Sequence, residues 1–403
     1  MKEYLTFEDV EAPLELVEVP RVVEVIERVL TGWPYKIGSE VPPAAPFFSI
    51  SQSEKSGKYR CVDRIGGTAP RLLDEINAVC DMVAALPRAL AASNDDLICL
   101  HSAASEIGGR LVVFPNTRRA GKSTLSAALA QAGHAVFSDD VLPTCFGEDG
   151  RAYGRAMGIC PRLRLPLPDT TSLKFRDWVR DLRGPHNKQY KYLELTGQPP
   201  SGDLLPVGGF VVLDRKEEQF TAKLSPIGPN AAMDVLLHQN FTRDRHSADV
   251  LASISTALSS TPIFRLTYSD LDDAVQSLED EFSKPVTEQT NDQALDAIAF
   301  RVVDFGFRPR KAFTDQDIVR QRSGTSESAI GETLYLADAE GRAIHRMDDL
   351  SAAIWELLFE PISVKEINSI VVETFGEAQV ERVAEDIDTL LRRLAKAGLV
   401  ESV

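Results

Sequence analysis

Apolar and polar positions along the chain recur with periods of two or of about 3.6 residues, and these periods predict the secondary structure. In the first 96 residues strand-like segments alternate with helical ones, and none of them carries recognisable chemistry. We therefore predict a small α+β unit over residues 1–96. Its predicted elements are a strand at 13–19, a helix at 21–31, strands at 47–51 and 59–62, and a helix at 70–93.

The middle of the chain, residues 97–282, mixes short apolar runs with helical patterns, which is typical of an α/β domain. One polar and cationic segment, residues 181–192 with Lys188 and Lys191, is expected to be a solvated loop, with a cover over nucleotide or substrate as the alternative. Strands are predicted at 97–102, 111–114, 135–137, 161–166, 207–213 and 264–268, and helices between 121 and 133 and at 231–238, 247–258 and 270–282.

A polar linker over residues 283–299 precedes a C-terminal domain over residues 300–403. Strand patterns at 333–337 and 343–347 flank a turn that contains glycine, which predicts a hairpin. The predicted helices that follow are one at 350–359, one opened by a capping box at Ser363 and Glu366, and one at 377–396. A hairpin with three helices predicts a winged-helix-like α+β domain.

Winged-helix domains often bind DNA, but the charge of this one has the wrong sign. Between residues 377 and 389 the last predicted helix carries five acidic side chains and a single arginine. The whole chain has a net charge of −16, which would repel a polyanion or an anionic membrane. We therefore expect neither nucleic acid nor a membrane as a partner.

The composition is that of an ordinary globular protein, with 43% hydrophobic and 26% charged residues. The chain has no apolar run long enough to span a membrane, and its acidic start does not resemble a signal peptide. The five cysteines are an odd number without C-x-x-C spacing, so neither a disulfide framework nor a zinc site is predicted. We expect a cytoplasmic protein with reduced thiols.

The stretch from Leu111 to Thr124 combines an apolar strand, a turn with Gly121-Lys122-Ser123 and the start of a helix, which is the context of a phosphate-binding P-loop. Backbone N–H groups of such a loop bind phosphate oxygens, while a lysine and a hydroxyl serve the terminal phosphate and Mg²⁺. The alternative for Lys122 is a solvated lysine in the first helical turn. The predicted nucleotide-binding residues are Asn116, Thr117, Arg118, Arg119, Ala120, Gly121, Lys122, Ser123 and Thr124.

Three residues of this loop depart from the simplest interpretation. The first glycine of the motif falls at Asn116, and asparagine is the non-glycine residue that best tolerates a left-handed backbone. Arg118 and Arg119 either add positive charge against a triphosphate or lie exposed to solvent. Because asparagine tolerates this conformation, the loop is expected to close with Asn116 in place of glycine.

Two carboxylates, Asp139 and Asp140, follow the predicted strand 135–137, one helix after the loop. P-loop enzymes keep Mg²⁺ and the residue that handles the nucleophile at this place. A solvated turn with two aspartates is the alternative. A histidine, His101, ends the preceding apolar run at 97–102.

Residues 100–104, the P-loop and residues 133–141 together resemble the catalytic core of the HPr kinase/phosphorylase family. That family has a leucine–histidine segment, a P-loop, and a glycine–histidine strand that ends in paired aspartates. The spacing from Ser123 to Asp140 matches the family without a gap. The resemblance covers about residues 97–282 and implies an α/β P-loop kinase core with ATP and Mg²⁺ as cofactors.

The same resemblance implies a role for each matched residue. Lys122 would contact the β- and γ-phosphates, and Ser123 would bind Mg²⁺ with Asp139 beside it. Asp140 would act as the base toward a serine hydroxyl. His101 would lie near the phosphates or the aspartate pair, with a structural core histidine as the alternative.

Two family features are missing. The family places a metal-binding glutamate two residues before an Arg-Gly-x-Gly segment, and the closest match at 155–158 puts Tyr153 at the acidic position. The segment that the family uses for phosphorolysis has no convincing copy either. The sequence therefore predicts a kinase and does not predict the phosphorylase reaction.

In the C-terminal domain, Ile354 and Trp355 early in the first helix and Ala-Gly-Leu-Val at 397–400 resemble the PqqD family. Members of that family recognise leader peptides of ribosomally made, modified peptides. They hold the peptide as an added strand beside the hairpin and against the last helix, a mode in which main-chain pairing supplies affinity. The resemblance implies a precursor peptide as partner; an accessory domain that only packs on the kinase is the alternative.

Together, these features predict an ATP-dependent serine kinase that phosphorylates a precursor peptide held by residues 300–403. One alternative is a nucleotide-binding peptide scaffold that transfers nothing. Another is an HPr serine kinase, which would not need the C-terminal domain. The sequence leaves open the acceptor residue, ATP against GTP, and the oligomeric state, a homo-oligomer included.

Overall fold

The computed structural model describes residues 2–115, 120–147, 150–240, 245–284, 313–375 and 380–403. It is a mixed α/β structure with several sheets. Its contacts divide the chain into two compact units. The first comprises Met1–Ile227, Ala232–Thr242 and Ala257–Asn291, and the second comprises Gly228–Ala231, Arg243–Thr256 and Asp292–Val403. The predicted domain boundaries stay predictions, and most of the predicted linker lies outside the described residues.

The first unit begins with a sheet whose strands are ordered β3-β1-β2-β4-β5-β6. Pairing is antiparallel except between β2 and β4, and one apolar cluster joins this sheet to both of its helices. The predicted strands and helices of residues 1–96 are confirmed, except that the predicted helix at 70–93 begins only at Glu75, after a short strand at Arg71–Leu73. The elements are β1 (Lys2–Phe7), β2 (Val10–Val17), α1 (Pro20–Val29), β3 (Tyr35–Gly38), β4 (Phe48–Gln52), β5 (Tyr59–Asp63), β6 (Arg71–Leu73) and α2 (Glu75–Ala92).

Helix α2 begins after Asp74, whose carboxylate accepts hydrogen bonds from the Asn77 backbone N–H at 2.9 Å and the Asn187 side chain at 3.0 Å. Burial raises the pKa of Asp74, but these hydrogen bonds outweigh it and lower the pKa overall. The stabilisation is therefore complete at neutral pH and is lost as the pH falls through the lowered pKa.

We expect Asp74→Ala to lower the free energy of unfolding by about 1 kcal/mol at pH 7, the usual value of a lost N-cap. Urea unfolding at several pH values measures this, and the deficit should shrink in acid, where wild-type Asp74 is protonated. Asp74→Asn keeps a capping oxygen without the charge, so its stability should not follow that pH dependence. A deficit of the alanine variant that stays constant into acid would contradict the assignment.

A second sheet forms the middle of the chain, with strands ordered β10-β8-β9-β15-β12-β11-β7 and with β17 and β16 continuing from β15. Strands β9, β15 and β17 are parallel. The elements are β7 (Ile98–Leu100), β8 (Ala103–Ile107), β9 (Arg110–Phe114), α3 (Lys122–Gln131), β10 (Val136–Ser138), β11 (Leu142–Phe146), β12 (Ala152–Arg155), β13 (Arg162–Arg164), α4 (Leu173–Asp181), β14 (Tyr190–Tyr192), β15 (Leu204–Arg215), β16 (Lys223–Pro226), α5 (Pro229–Gln239), α6 (Ser247–Ser260), β17 (Ile263–Tyr268) and α7 (Leu271–Phe282).

The cationic segment 181–192 differs from the prediction of a solvated loop. Its end forms β14, which pairs with β13, and Lys191 is buried. The Lys191 ammonium donates hydrogen bonds to the carbonyl oxygens of Val179 and Arg180, at 2.7 and 3.1 Å. A lysine that satisfies the last carbonyls of a helix leaves no sign in the sequence pattern. Lys188 is exposed, as expected.

The second unit contains the predicted hairpin and helices, arranged with two small sheets ordered β22-β18-β23 and β19-β20-β21. The capping box is confirmed, because the Glu366 backbone N–H donates to Ser363 Oγ at 3.2 Å and the Ser363 backbone N–H donates to Glu366 Oε2 at 3.1 Å. The elements are β18 (Ile318–Gln321), β19 (Ser326–Ile330), β20 (Thr333–Ala337), β21 (Ile344–Arg346), α8 (Asp349–Leu357), β22 (Ile362–Ser363), α9 (Val364–Phe375), α10 (Val380–Lys396) and β23 (Val400–Ser402).

Candidate functional site

The start of helix α3 lies at the carboxyl edge of the parallel strands. Strands β9, β15 and β17 run in the same direction, and the chain passes from the end of β9 to Lys122, the first residue of α3. Ligands of open α/β sheets bind at this edge. Of the predicted loop residues, Asn116, Thr117, Arg118 and Arg119 lie outside the described residues.

Gly121 precedes α3 in a left-handed conformation, with φ of 96°. A Cβ atom at this position would lie 2.9 Å from the hydroxyl oxygen of Tyr268, the last residue of β17. Both the backbone angle and the close approach favour glycine. The predicted turn is therefore present at Gly121, and a buried tyrosine limits the space beside it.

The next residues of α3 face the aspartates. Lys122 is only 6% exposed, so it is not the solvated lysine of the alternative interpretation. Ser123 Oγ donates a hydrogen bond to the backbone carbonyl oxygen of Asp139 at 3.4 Å. Ala120 and Thr124 are half-buried. The structure thus brings the start of α3 and the acidic pair together.

His101 and Asp140 are in direct contact, with 3.0 Å between His101 Nε2 and Asp140 Oδ1. The pairing of β7 with β11 explains this, because Leu100 lies opposite Leu142 in an antiparallel register. The His101 backbone N–H also donates to the carbonyl oxygen of Gln239 at 2.7 Å. His101 is therefore held by its main chain as well as by its ring.

Arg162, at the start of β13, contacts both aspartates and was not singled out from the sequence. Its backbone N–H donates to Asp139 Oδ2 at 2.7 Å, and its guanidinium donates to Asp140 Oδ2 at 3.3 Å. The alternation at 161–166 predicted the strand correctly. Its position beside the acidic pair depends on tertiary packing, for which the sequence carries no local signal.

The two carboxylates have different affinities for protons. Burial and the neighbouring charge of Asp140 raise the pKa of Asp139 to about 6. Burial also acts to raise the pKa of Asp140, but the hydrogen bond from His101 and the positive charges of Arg162 and Lys122 outweigh it and lower that pKa to about 2. Asp140 is thus a carboxylate across the physiological pH range.

The described residues contain no group of three or more His, Cys, Asp or Glu side chains that could hold a metal ion. Within the same ranges, no helix is long and apolar enough to cross a membrane.

The edge of the C-terminal hairpin is formed by β21, which in the described sheet pairs with β20 alone. The Met347 N–H donates to the Leu334 carbonyl oxygen, and the Asp338 N–H donates to the Ala343 carbonyl oxygen. These two bonds place Met347 and Ala343 in hydrogen-bonded pairs with β20. Hydrogen-bonded and non-hydrogen-bonded pairs alternate along an antiparallel ladder, so the N–H and C=O groups of Ile344 point away from β20. Ile354 and Trp355 are buried in the core of this unit and do not line the edge.

Comparison with known proteins identifies a domain at this end of the chain. Residues 334–400 match the family described as coenzyme PQQ synthesis protein D (PqqD). This PqqD domain covers about a sixth of the chain. No curated protein matches the sequence. The resemblance to HPr kinase has no support from these comparisons and stays a prediction.

Proposed function

We propose that this chain is an ATP-dependent serine kinase with an HPr-kinase-like P-loop core, and that it phosphorylates a ribosomally made precursor peptide recruited by its PqqD domain. The observation that carries the proposal is the meeting of the glycine-led start of α3 with Asp139, Asp140 and His101. A phosphate-binding helix start beside two carboxylates is the arrangement that phosphoryl transfer needs.

The described residues fit MgATP. Gly121 forms the left-handed turn directly before α3, and the backbone N–H groups of a helix start are suited to bind phosphate. Lys122 then supplies positive charge to the β- and γ-phosphates. Ser123 and Asp139 offer hard oxygen ligands to Mg²⁺, which usually takes one or two protein ligands and completes its shell with phosphate and water.

Asp140 is suited to receive the proton of the acceptor serine. Its side chain is 32% exposed, and each carboxylate oxygen can accept a second hydrogen bond besides those from His101 and Arg162. A low pKa makes it a weak base, but in a loose phosphoryl-transfer transition state the enzyme contributes mainly alignment and charge neutralisation. Asp140 therefore orients the hydroxyl and accepts its proton late in the transfer.

The PqqD domain supports a role in recognising a precursor peptide. The outward-facing main chain of β21 offers the edge at which an extended leader adds as a strand. A peptide held there is presented to the kinase at an effective concentration of about millimolar, as flexible tethers generally achieve.

We expect Gly121→Ala to weaken ATP binding by at least about tenfold, because the new methyl group meets Tyr268 and the left-handed backbone becomes strained. Titration with a fluorescent ATP analogue in the presence of Mg²⁺ measures this. The control is Gly133→Ala, since Gly133 also has a positive φ, of 101°, but open space around it. Equal affinities for the two variants would contradict the P-loop assignment.

The experiment that tests the proposal is incubation of the chain with Mg²⁺, ATP and the precursor peptide encoded beside its gene. We expect one phosphoryl group to appear on a serine of the peptide. Binding of ATP and of the peptide without transfer would overturn the kinase proposal and favour a scaffold.

A further inference from the structure

We propose that Arg162 is a positioning residue of the kinase reaction, holding Asp140 between two nitrogen donors so that its carboxylate points at the acceptor hydroxyl. This inference rests on the proposed function. It assigns a role to a residue that belongs to neither the P-loop nor the acidic pair.

The contacts of Asp140 form a clamp. His101 Nε2 holds Oδ1 at 3.0 Å, and the Arg162 guanidinium holds Oδ2 at 3.3 Å. A carboxylate with one contact turns about its side-chain bonds, whereas a carboxylate with a contact on each oxygen keeps one orientation. Orientation matters here, because a misplacement of about 1 Å can cost an enzyme about 10²-fold in rate.

Arg162 is itself held in place. Its guanidinium stacks on the ring of Tyr190, at 4.9 Å from the ring centroid. The backbone pairs with Tyr192 across β13 and β14. The side chain is 21% exposed, so these contacts fix its rotamer while one face reaches the site. Its strand partner Tyr192 donates a hydrogen bond from its hydroxyl to Cys80 Sγ on α2 at 3.4 Å, so α2 supports the strand pair that carries Arg162.

The two contacts of Arg162 are chemically separable. The bond to Asp139 comes from the backbone N–H and survives any substitution except proline. The bond to Asp140 comes from the side chain. A side-chain variant therefore disturbs the proton acceptor and leaves the support of the proposed Mg²⁺ ligand, Asp139, intact.

The chain offers a matched control on the same strand. Arg164 lies two residues further along β13 and on the same face, and its guanidinium stacks on the same Tyr190 ring at 5.7 Å. Arg164 is exposed and, within the described residues, forms no hydrogen bond or ion pair with either aspartate. Substituting Arg164 therefore removes an equal charge and a comparable ring contact without releasing Asp140.

The test compares Arg162→Gln, Arg162→Lys and Arg164→Gln with the wild-type chain, using MgATP and the precursor peptide. For Arg162→Gln we expect kcat to fall about 10²-fold and the KM for MgATP to change less than about threefold. Arg162→Lys should recover part of the loss, because the ammonium can still donate one bond. Arg164→Gln should keep the wild-type kcat.

A second measurement does not depend on catalysis. In the chain labelled on its histidine rings, the nitrogen resonances of His101 report its bond to Asp140 at a fixed pH. We expect these resonances to shift in Arg162→Gln, where Asp140 can turn, and to stay unchanged in Arg164→Gln. His134, which bonds Glu279 at 2.8 Å, is an internal reference.

The outcomes separate this inference from the proposed function. If the wild type phosphorylates the peptide but Arg162→Gln behaves like Arg164→Gln in both measurements, Arg162 does not position Asp140 and the inference is overturned. If the wild type transfers nothing while the His101 resonances still shift in Arg162→Gln alone, the clamp is supported and the kinase proposal is overturned. Loss of ATP binding in Arg162→Gln would also overturn the inference, since a positioning role leaves that affinity intact.

Discussion

Asp140→Asn is expected to lower phosphoryl transfer to the precursor peptide about 10³-fold, the typical contribution of a general base. Asparagine has nearly the same shape but cannot accept a proton at neutral pH. Its amide also has a single oxygen, so it cannot accept from His101 and from Arg162 on separate oxygens as the carboxylate does. ATP binding should stay within a small factor, because Asp140 is not among the proposed phosphate or Mg²⁺ ligands.

The matched control for this variant is Glu279→Gln. Glu279 forms a comparable pair with a histidine, at 2.8 Å from His134 Nε2, and is 30% exposed, close to the 32% of Asp140. It lies on α7 and not beside the start of α3. Initial rates at saturating MgATP compare the two variants. Equal rates for wild type and Asp140→Asn would remove Asp140 from the mechanism.

The second large effect concerns the PqqD domain. We expect Ile344→Pro to lower the rate with micromolar precursor peptide about 10²-fold, because proline removes an N–H that would pair with the leader and tethering is then lost. Proline is tolerated where the main chain of an edge strand faces outward, so the fold should survive. Peptide affinity, measured by titration calorimetry, should fall in parallel with the rate.

Ile344→Ala serves as the control, since it shortens the same side chain but keeps the N–H. A peptide without its leader gives a second comparison, because its slow phosphorylation should be the same in wild type and Ile344→Pro. Rapid phosphorylation of the leaderless peptide by both proteins would show that β21 does not recruit the substrate. Equal losses in Ile344→Pro and Ile344→Ala would assign the effect to side-chain packing.

Local patterns predicted most of the buried elements correctly, because their apolar periodicity reflects burial on one face. Helix α4 and twelve strands escaped prediction, namely β1, β3, β6, β8, β11, β12, β14, β16, β18, β19, β22 and β23. Strands β3 and β6 have mostly exposed side chains and are held by main-chain pairing, which leaves little alternation in the sequence. Burial alone does not decide the outcome, since strands β8 and β11 are largely buried and were not predicted either.

The candidate site could likewise be predicted only in part from local sequence patterns. Lys122, Ser123, Asp139 and Asp140 follow directly from a loop and a strand end, and the structure places them together. Predicting the contact of His101 with Asp140 would have required the register of β7 against β11. Predicting the position of Arg162 beside the aspartates would have required the pairing and packing of β13 and β14, which no single segment of the sequence encodes.

Intact-mass spectrometry of the precursor peptide, after incubation with this chain, Mg²⁺ and ATP, decides whether the protein is a peptide kinase. We expect a gain of one phosphoryl group with the wild type, and none over the same period with Asp140→Asn. An unchanged mass with the wild type, while the peptide is bound and ATP is present, would contradict phosphotransfer and leave a nucleotide-binding peptide scaffold as the function. A gain that is equal with Asp140→Asn would contradict the assigned site.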